Sequence, residues 1–195
     1  LFILEKSIKN ELVILNLKLN FDEDGNIKKD YKITGALRDG KIQLFKNYNF
    51  KKINFLLNIR DNIFNFKDIK FTTNKTNFFS DNLKITQNKD NFDFEGDIQN
   101  QNSILNNELL KLLNLNFKDL SFLNTNFFSK NKFTFNIDNK LKIKNLDLVS
   151  EIKINKSEYQ TPLQFKNYFP DMNDLISMKD HKIKIIYRNN DLILE

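Results

Sequence analysis

FNFKDIKFTTNKTNFFS, residues Phe64 to Ser80, decides the fold, because the chain writes it more than once. It recurs, two residues shorter, as LNFKDLSFLNTNFFS from Leu115 to Ser129. The octet at its head returns as YNFKKINF (Tyr48 to Phe55) and LKIKNLDL (Leu141 to Leu148). Every copy reads apolar–x–apolar–Lys–polar–apolar–x–apolar. The apolar positions change parity across the Lys–polar pair, so the pair is either a two-residue hairpin tip or a β-bulge that returns all four apolar side chains to one face. Lys-Lys and Lys-Asp make poor tight turns, and the bulge is the expectation for most copies. A strand pattern repeated without chemistry inside it builds surface.

Outward from the repeat, strict alternation dominates, the period of half-buried strands. Leu15, Leu17, Leu19 and Phe21 share one phase, with Asn16, Lys18 and Asn20 in the other. FDEDGN (Phe21 to Asn26) is too short for a calcium loop and reads as a turn, and DFEGD (Asp93 to Asp97) reads as a strand end. Arg38-Asp39-Gly40-Lys41 is the strongest hairpin signal, since Asp-Gly readily takes positive φ. Further turns fall every 8–15 residues or so, the spacing of many antiparallel strands. One segment departs from the pattern. Ile104, Leu105, Leu109, Leu110, Leu112 and Leu113 follow a helical period, with Ser103 as N-cap, which predicts a short helix over about 103–115. A weaker helical or irregular stretch is expected over Leu163 to Met178, interrupted by Pro170. The whole, residues 1–195, reads as one β-rich unit.

Composition excludes more than it identifies. Hydrophobic residues make up 40% and charged residues 29%, enough apolar surface to fold, and Phe alone accounts for 20 residues. Only 4 Gly and 2 Pro punctuate the chain, so Asn must take over turn positions, as its tolerance of left-handed backbone allows. AT-rich codons are a sufficient cause for the excess of Asn, Lys, Ile and Phe. The net charge is +6, with a pI near 9.3, but Lys is scattered through the strands as on a solvated face. With no Cys and a single His, His181, thiolate sites, histidine metal clusters and Ser–His catalysis drop out. No phosphate loop, HExxH or calcium loop is present, so no enzyme, cofactor or metal is expected. Phe and Lys alternate onto opposite faces, which argues against a nucleic-acid stacking platform. No apolar run approaches the ~20 residues of a membrane span. The chain begins at Leu1 rather than Met and reads as a piece of a longer protein.

Many strands, apolar on one face, leave a surface that one short helix cannot cover. The sheet either folds onto a second sheet as a sandwich or curls into a trough around an apolar ligand. NKFTFNIDNKLKIKNLDLVSEIKIN (Asn131 to Asn155) and LQFKNYFPDMNDLISMKDHKIKIIYRNNDLIL (Leu163 to Leu194) resemble the AsmA-like superfamily, in particular its YhdP and TamB types. That resemblance implies a mainly β fold: a long, curved antiparallel sheet forming a U-shaped groove, with the short helix inserted. It implies a segment of a phospholipid-transfer conduit serving outer-membrane biogenesis. The conduit would lie in the periplasm, joined to the inner and outer membranes through parts of the chain outside this segment and anchored to the inner membrane from upstream. Phospholipid acyl chains are then the partners, and nucleic acid is not. The groove would be lined by Leu15, Leu17, Leu19, Ile33, Ile42, Leu44, Ile53, Phe55, Leu57, Phe64, Phe66, Ile69, Phe71, Phe92, Phe94, Phe133, Phe135, Ile143, Leu146, Leu148 and Ile152. The alternative is a structural or adhesive extracellular β-repeat with a packed core and no ligand.

Overall fold

The computed structural model describes residues 12–28, 30–44, 48–105, 122–160 and 167–195. Those residues form ten strands: β1 (Leu12–Lys18), β2 (Lys32–Leu44), β3 (Tyr48–Arg60), β4 (Ile63–Thr73), β5 (Thr76–Gln87), β6 (Asn91–Ile104), β7 (Phe122–Asp138), β8 (Ile143–Gln160), β9 (Leu175–Arg188) and β10 (Asp191–Leu194). They make a single open sheet in strict sequence order, every neighbouring pair antiparallel. Each strand therefore pairs with the segment the chain has just left, a topology built from local closures alone. Among the described residues no second layer packs on the sheet. The accessible surface is 14872 Å², where a compact monomer of 23.3 kDa presents about 9,700 Å². Among the described apolar side chains only Leu37, Ile53, Ile59 and Phe127 fall below a tenth exposed.

Among the described residues there is no helix. Ser103 and Ile104, expected to start one, end β6 instead, because their backbone pairs with Phe127 and Asn126 of β7. The rest of that expected helix, 106–115, lies outside the described residues. The described part of the Leu163 to Met178 stretch is turns over 167–174 followed by the start of β9, with Met172 N donating to Phe169 O at 3.1 Å.

The chain turns with Asn where other proteins use Gly. Asp61-Asn62, Asn74-Lys75 and Asn189-Asn190 each link two strands as a two-residue tip with both φ values between 47° and 67°. Positive φ at both central residues twists the turn to match the flanking strands. The octets use the same backbone region inside strands. In all three described copies the polar residue of the Lys–polar pair has positive φ: Lys52 at 52°, Asp68 at 52° and Asn145 at 52°. None of these pairs is a hairpin tip. The apolar residues on either side stay on one face, as a bulge requires.

Two turn readings are corrected by the same physics. Arg38 to Lys41 is no hairpin but lies within β2, where the register against β3 shifts between Leu37 and Gly40. Asp39 takes φ 54°, and its amide donates to Asn54 Oδ1 at 3.3 Å. A Cβ on Gly40 would stand 2.7 Å from Leu37 Cδ2 and 3.2 Å from Ile53 Cβ. The positive φ offered by Asp-Gly is used to bulge one strand over buried neighbours. Asp93 to Asp97 likewise lies inside β6, with Gly96 opposite Phe133, rather than at a strand end.

Two longer turns are organised by a carboxylate. Asp22 Oδ1 accepts from the amides of Asp24 (3.0 Å) and Asn26 (2.8 Å), and Asp138 Oδ1 from those of Lys140 (2.9 Å) and Lys142 (3.0 Å). The Lys142 amide, then Lys144, holds the Asp138 carboxyl below its ordinary value of 3.8. A depressed carboxyl stabilises the fold above its unfolded pKa and loses that contribution as pH falls through the folded one. Protection of the Lys140 and Lys142 amides, taken relative to their intrinsic exchange rates, should therefore persist at neutral pH and fall only below about pH 3.8. Asp138→Asn should remove that pH dependence.

Gly35 tests strand packing. A Cβ there would sit 2.6 Å from Ile14 O and 2.6 Å from Leu15 Cδ2, the first of them a backbone atom that cannot swing away. Gly35→Ala should cost about 1–3 kcal/mol in urea unfolding. The protection lost should be concentrated in the β1–β2 amides.

Candidate functional site

Directly opposed residues of neighbouring strands share a face, so the registers trace rungs across the sheet. One rung crosses all ten strands: Leu15, Gly35, Leu57, Phe66, Leu83, Gly96, Phe133, Leu148, Tyr187 and Leu192. It contains no charged side chain. At about 4.8 Å per strand its nine intervals extend about 43 Å. Beside it runs a second rung, Leu17, Ile33, Ile59, Phe64, Ile85, Phe94 and Phe135, from β1 to β7. Rings pack along the rungs and, at Phe133 and Phe135, between them. Phe55 meets Phe66 edge-on at 5.2 Å, Phe94 stacks on Phe135 at 4.7 Å, and Phe133 tilts against Phe135 at 5.7 Å. Such pairs contribute about 0.5–1.5 kcal/mol each beyond area burial.

The remaining candidates from the alternation fall on this face as well. Phe55 opposes Leu37, Ile53 opposes Gly40, and Ile42 opposes Phe50. Ile69 opposes Ser80 and Phe71 opposes Phe78, with the two rings stacked at 5.3 Å. Phe92 and Ile143 both flank Ile137, Ile152 lies between Ser129 and Ile183, and Leu146 follows the Asn145 bulge in phase with Leu148. Leu19 follows β1 and belongs to no strand, and of Leu44 only the backbone pairing with Tyr48 is described. The opposite face carries the charges, with Lys84–Glu95 at 3.9 Å, Arg188–Asp147 at 2.9 Å and Lys184–Glu195 at 2.6 Å. A hollow of about 440 Å³ edged by Glu95, Asp97, Lys132, Asp147 and Arg188 opens beside those pairs. No group of three or more His, Cys, Asp and Glu among the described residues could hold a metal ion.

Alternation did not single out the polar residues set into the apolar face. Asn100, wholly buried, stands on the rung Phe71, Phe78, Asn100, Ser129, Ile152 and Ile183. Its Oδ1 accepts from Ser129 N at 2.9 Å and from Ser129 Oγ at 2.5 Å, and its Nδ2 donates to Phe127 O at 3.2 Å. The β6–β7 register slips just beyond Asn100, so its amide side chain stands in for the missing ladder bonds. Asn131 continues the network, donating to Ile98 O at 2.9 Å and accepting from Ser150 Oγ at 2.5 Å, and Thr125 and Ser157 share a hydrogen bond of 2.8 Å. Two buried hydroxyls, on Thr73 and Ser80, lack a partner among the described residues. The signal for the group was phase: Ser129 and Asn131 keep step with Phe127, Phe133 and Phe135, where solvent-facing polar residues would not.

The face therefore differs in chemistry from end to end. Toward the Asn74-Lys75 end, Thr73, Thr76, Asn100, Thr125 and Ser157 are buried. Toward the opposite end Leu17, Phe92, Ile143 and Leu192 are exposed, although Ile59 there is buried and Met178 and Ile183 at the first end are exposed. Neither protein-family models, curated proteins nor solved structures match this chain.

Asn100→Ala should leave the Ser129 amide and the Phe127 carbonyl unpaired in a dry site. A loss of about 1–3 kcal/mol in denaturant unfolding is expected. Asn131→Ala, half-buried and nearer the margin of the network, should cost less.

Proposed function

We propose that this sheet is a segment of an AsmA-like lipid conduit, its apolar face curled into the inside of a groove that carries phospholipid acyl chains. The supporting observation is the ten-strand rung from Leu15 to Leu192, apolar from one edge of the sheet to the other with no charge to interrupt a hydrocarbon tail. The absence of a packing layer over it among the described residues, and the charged opposite face, fit the same reading. Tails lie across the strands, against Leu57, Phe66, Phe94, Phe133 and Leu148. Head groups stay at the exposed end, beside Leu17, Phe92 and Ile143. The buried Asn100 network confines the path to the rungs nearer that end.

No bond is made or broken. Each methylene that leaves water for the face gains about 0.8 kcal/mol, offset by a similar gain in the membrane it left. Movement is thus nearly isoenergetic sliding, and direction comes from the membranes and partners at either end. Those ends are the inner and outer membranes of a Gram-negative envelope, reached through chain outside this segment, with the sheet in the periplasm.

The test is lipid crosslinking from photoreactive side chains at Phe66 and Leu148, with Lys84 and Lys132 on the charged face as controls. Label should appear at the first pair and not at the second. Phe55→Asp or Phe135→Asp should lower it about tenfold, the equivalent of losing contact with about two methylenes. Full crosslinking in a variant that keeps its sheet signal by circular dichroism would sink the proposal, as would protein that purifies without lipid from detergent-free extracts.

A further inference from the structure

The edges of the sheet have the chemistry of an unfinished one. Among the described residues β1 pairs only with β2, and β10 only with β9. All seven residues of β1 are exposed, and the strand is apolar on both sides: Val13, Leu15 and Leu17 on the apolar face, Leu12 and Ile14 on the other. Its only charge is Lys18, and it has neither proline nor bulge, the devices by which natural edge strands avoid pairing with another chain. β10 is the same in miniature, with Leu192 and Leu194 on the apolar face and Ile193 on the other, all three exposed.

We propose that β10 of one copy pairs with β1 of a second copy, so that the sheet continues head to tail. Direction allows it. An even number of antiparallel strands leaves β1 and β10 running opposite ways. A second copy, translated and not turned over, brings its β1 antiparallel to β10 with both apolar faces on one side. Register favours it too. Leu15 and Leu192 end the same rung, so straight continuation sets Leu192 opposite Leu15, Ile193 opposite Ile14, Leu194 opposite Val13, and Asp191 opposite Asn16. Each apolar residue of β10 meets an apolar residue of β1 on both faces, while Leu12 and Leu17 lie beyond the ends of the four-residue strand. The rival arrangement, β1 against another β1 centred on Leu15, sets Ile14 opposite Asn16 and Leu12 opposite Lys18, and leaves β10 bare. Because the two joined surfaces differ, the contact is heterologous, and copies add head to tail beyond a dimer. This inference is independent of what the apolar face carries.

The chain has no cysteine, which allows a register-level test. Two single-site variants, Ile14→Cys and Ile193→Cys, are mixed in equal amounts and oxidised with a copper catalyst in air. Both positions are more than half exposed, 56% and 51%, so neither change disturbs packing. Directly opposed residues bring their Cβ atoms within reach of a disulfide, and residues two steps out of register do not. The Ile14–Ile193 crosslink should form severalfold faster than the crosslink between Leu12→Cys and Ile193→Cys. In parallel, the weight-average mass in sedimentation should rise with concentration for the unmodified protein and stay monomeric for Ile14→Lys. An unmodified protein that is monomeric at every concentration overturns the proposal. So does a Leu15→Cys variant that crosslinks to itself as fast as the Ile14–Ile193 pair, which would mean symmetric β1–β1 pairing centred on Leu15.

Discussion

Keeping the Leu, Ile and Phe side chains of the rungs on one face over ten strands is the constraint from which the rest of this structure follows. A strand alternates faces with period two, and any extra residue sends all later side chains to the wrong side. This chain inserts extra residues repeatedly and corrects for each with a backbone of positive φ at Asp39, Lys52, Asp68, Asn145 or Asp180. Left-handed backbone costs non-glycine residues about 1–2 kcal/mol, least for Asn and Asp. The cost is met because the alternative places several Phe and Ile side chains in water on the charged face. The bulges let strands of different length and twist share unbroken rungs.

Those rungs divide the apolar face into two chemical halves. Nearer the Asp61-Asn62 end the rungs are built from Leu, Ile and Phe, broken only by Gly35, Gly96 and Tyr187. Nearer the Asn74-Lys75 end, Asn100, Ser129, Asn131 and Ser150 bond to one another and to the Phe127 and Ile98 carbonyls. A satisfied buried network costs little and holds β6, β7 and β8 in a single register, whereas a half-satisfied one would destabilise them. The same atoms repair the ladder at the Asn102 bulge and deny that part of the face to hydrocarbon. The proposed lipid path and the proposed junction between copies both use the other half, where the edge residues Leu15 and Leu192 end one rung.

Much of this was legible in the chain itself, for a physical reason particular to each element. The octet's parity change implied bulges because Lys-Lys and Lys-Asp turn poorly, and three copies carry the bulge inside paired strands. Asn could be read as the turn residue because Gly and Pro are so scarce. Asp39-Gly40 misled because the dipeptide encodes a positive φ, which serves a hairpin and a bulge equally. Only the residues stacked over Gly40, Leu37 and Ile53, select between them. Asn100 could not be told from a solvent-facing Asn, since its value lies in a carbonyl of Phe127, 27 residues away.

By itself, then, the order of amino acids determined the strand period, the two-faced character of the sheet and the places where the backbone must bend or bulge. These are local properties, set by side-chain phase and by the φ preferences of single residues. Tertiary structure alone decided that consecutive strands would stay side by side in one open layer, that chosen residues would line up as rungs, and that a buried amide network would close half the face. These depend on register between strands, and register is a cooperative outcome of all the pairings together, which no single strand encodes.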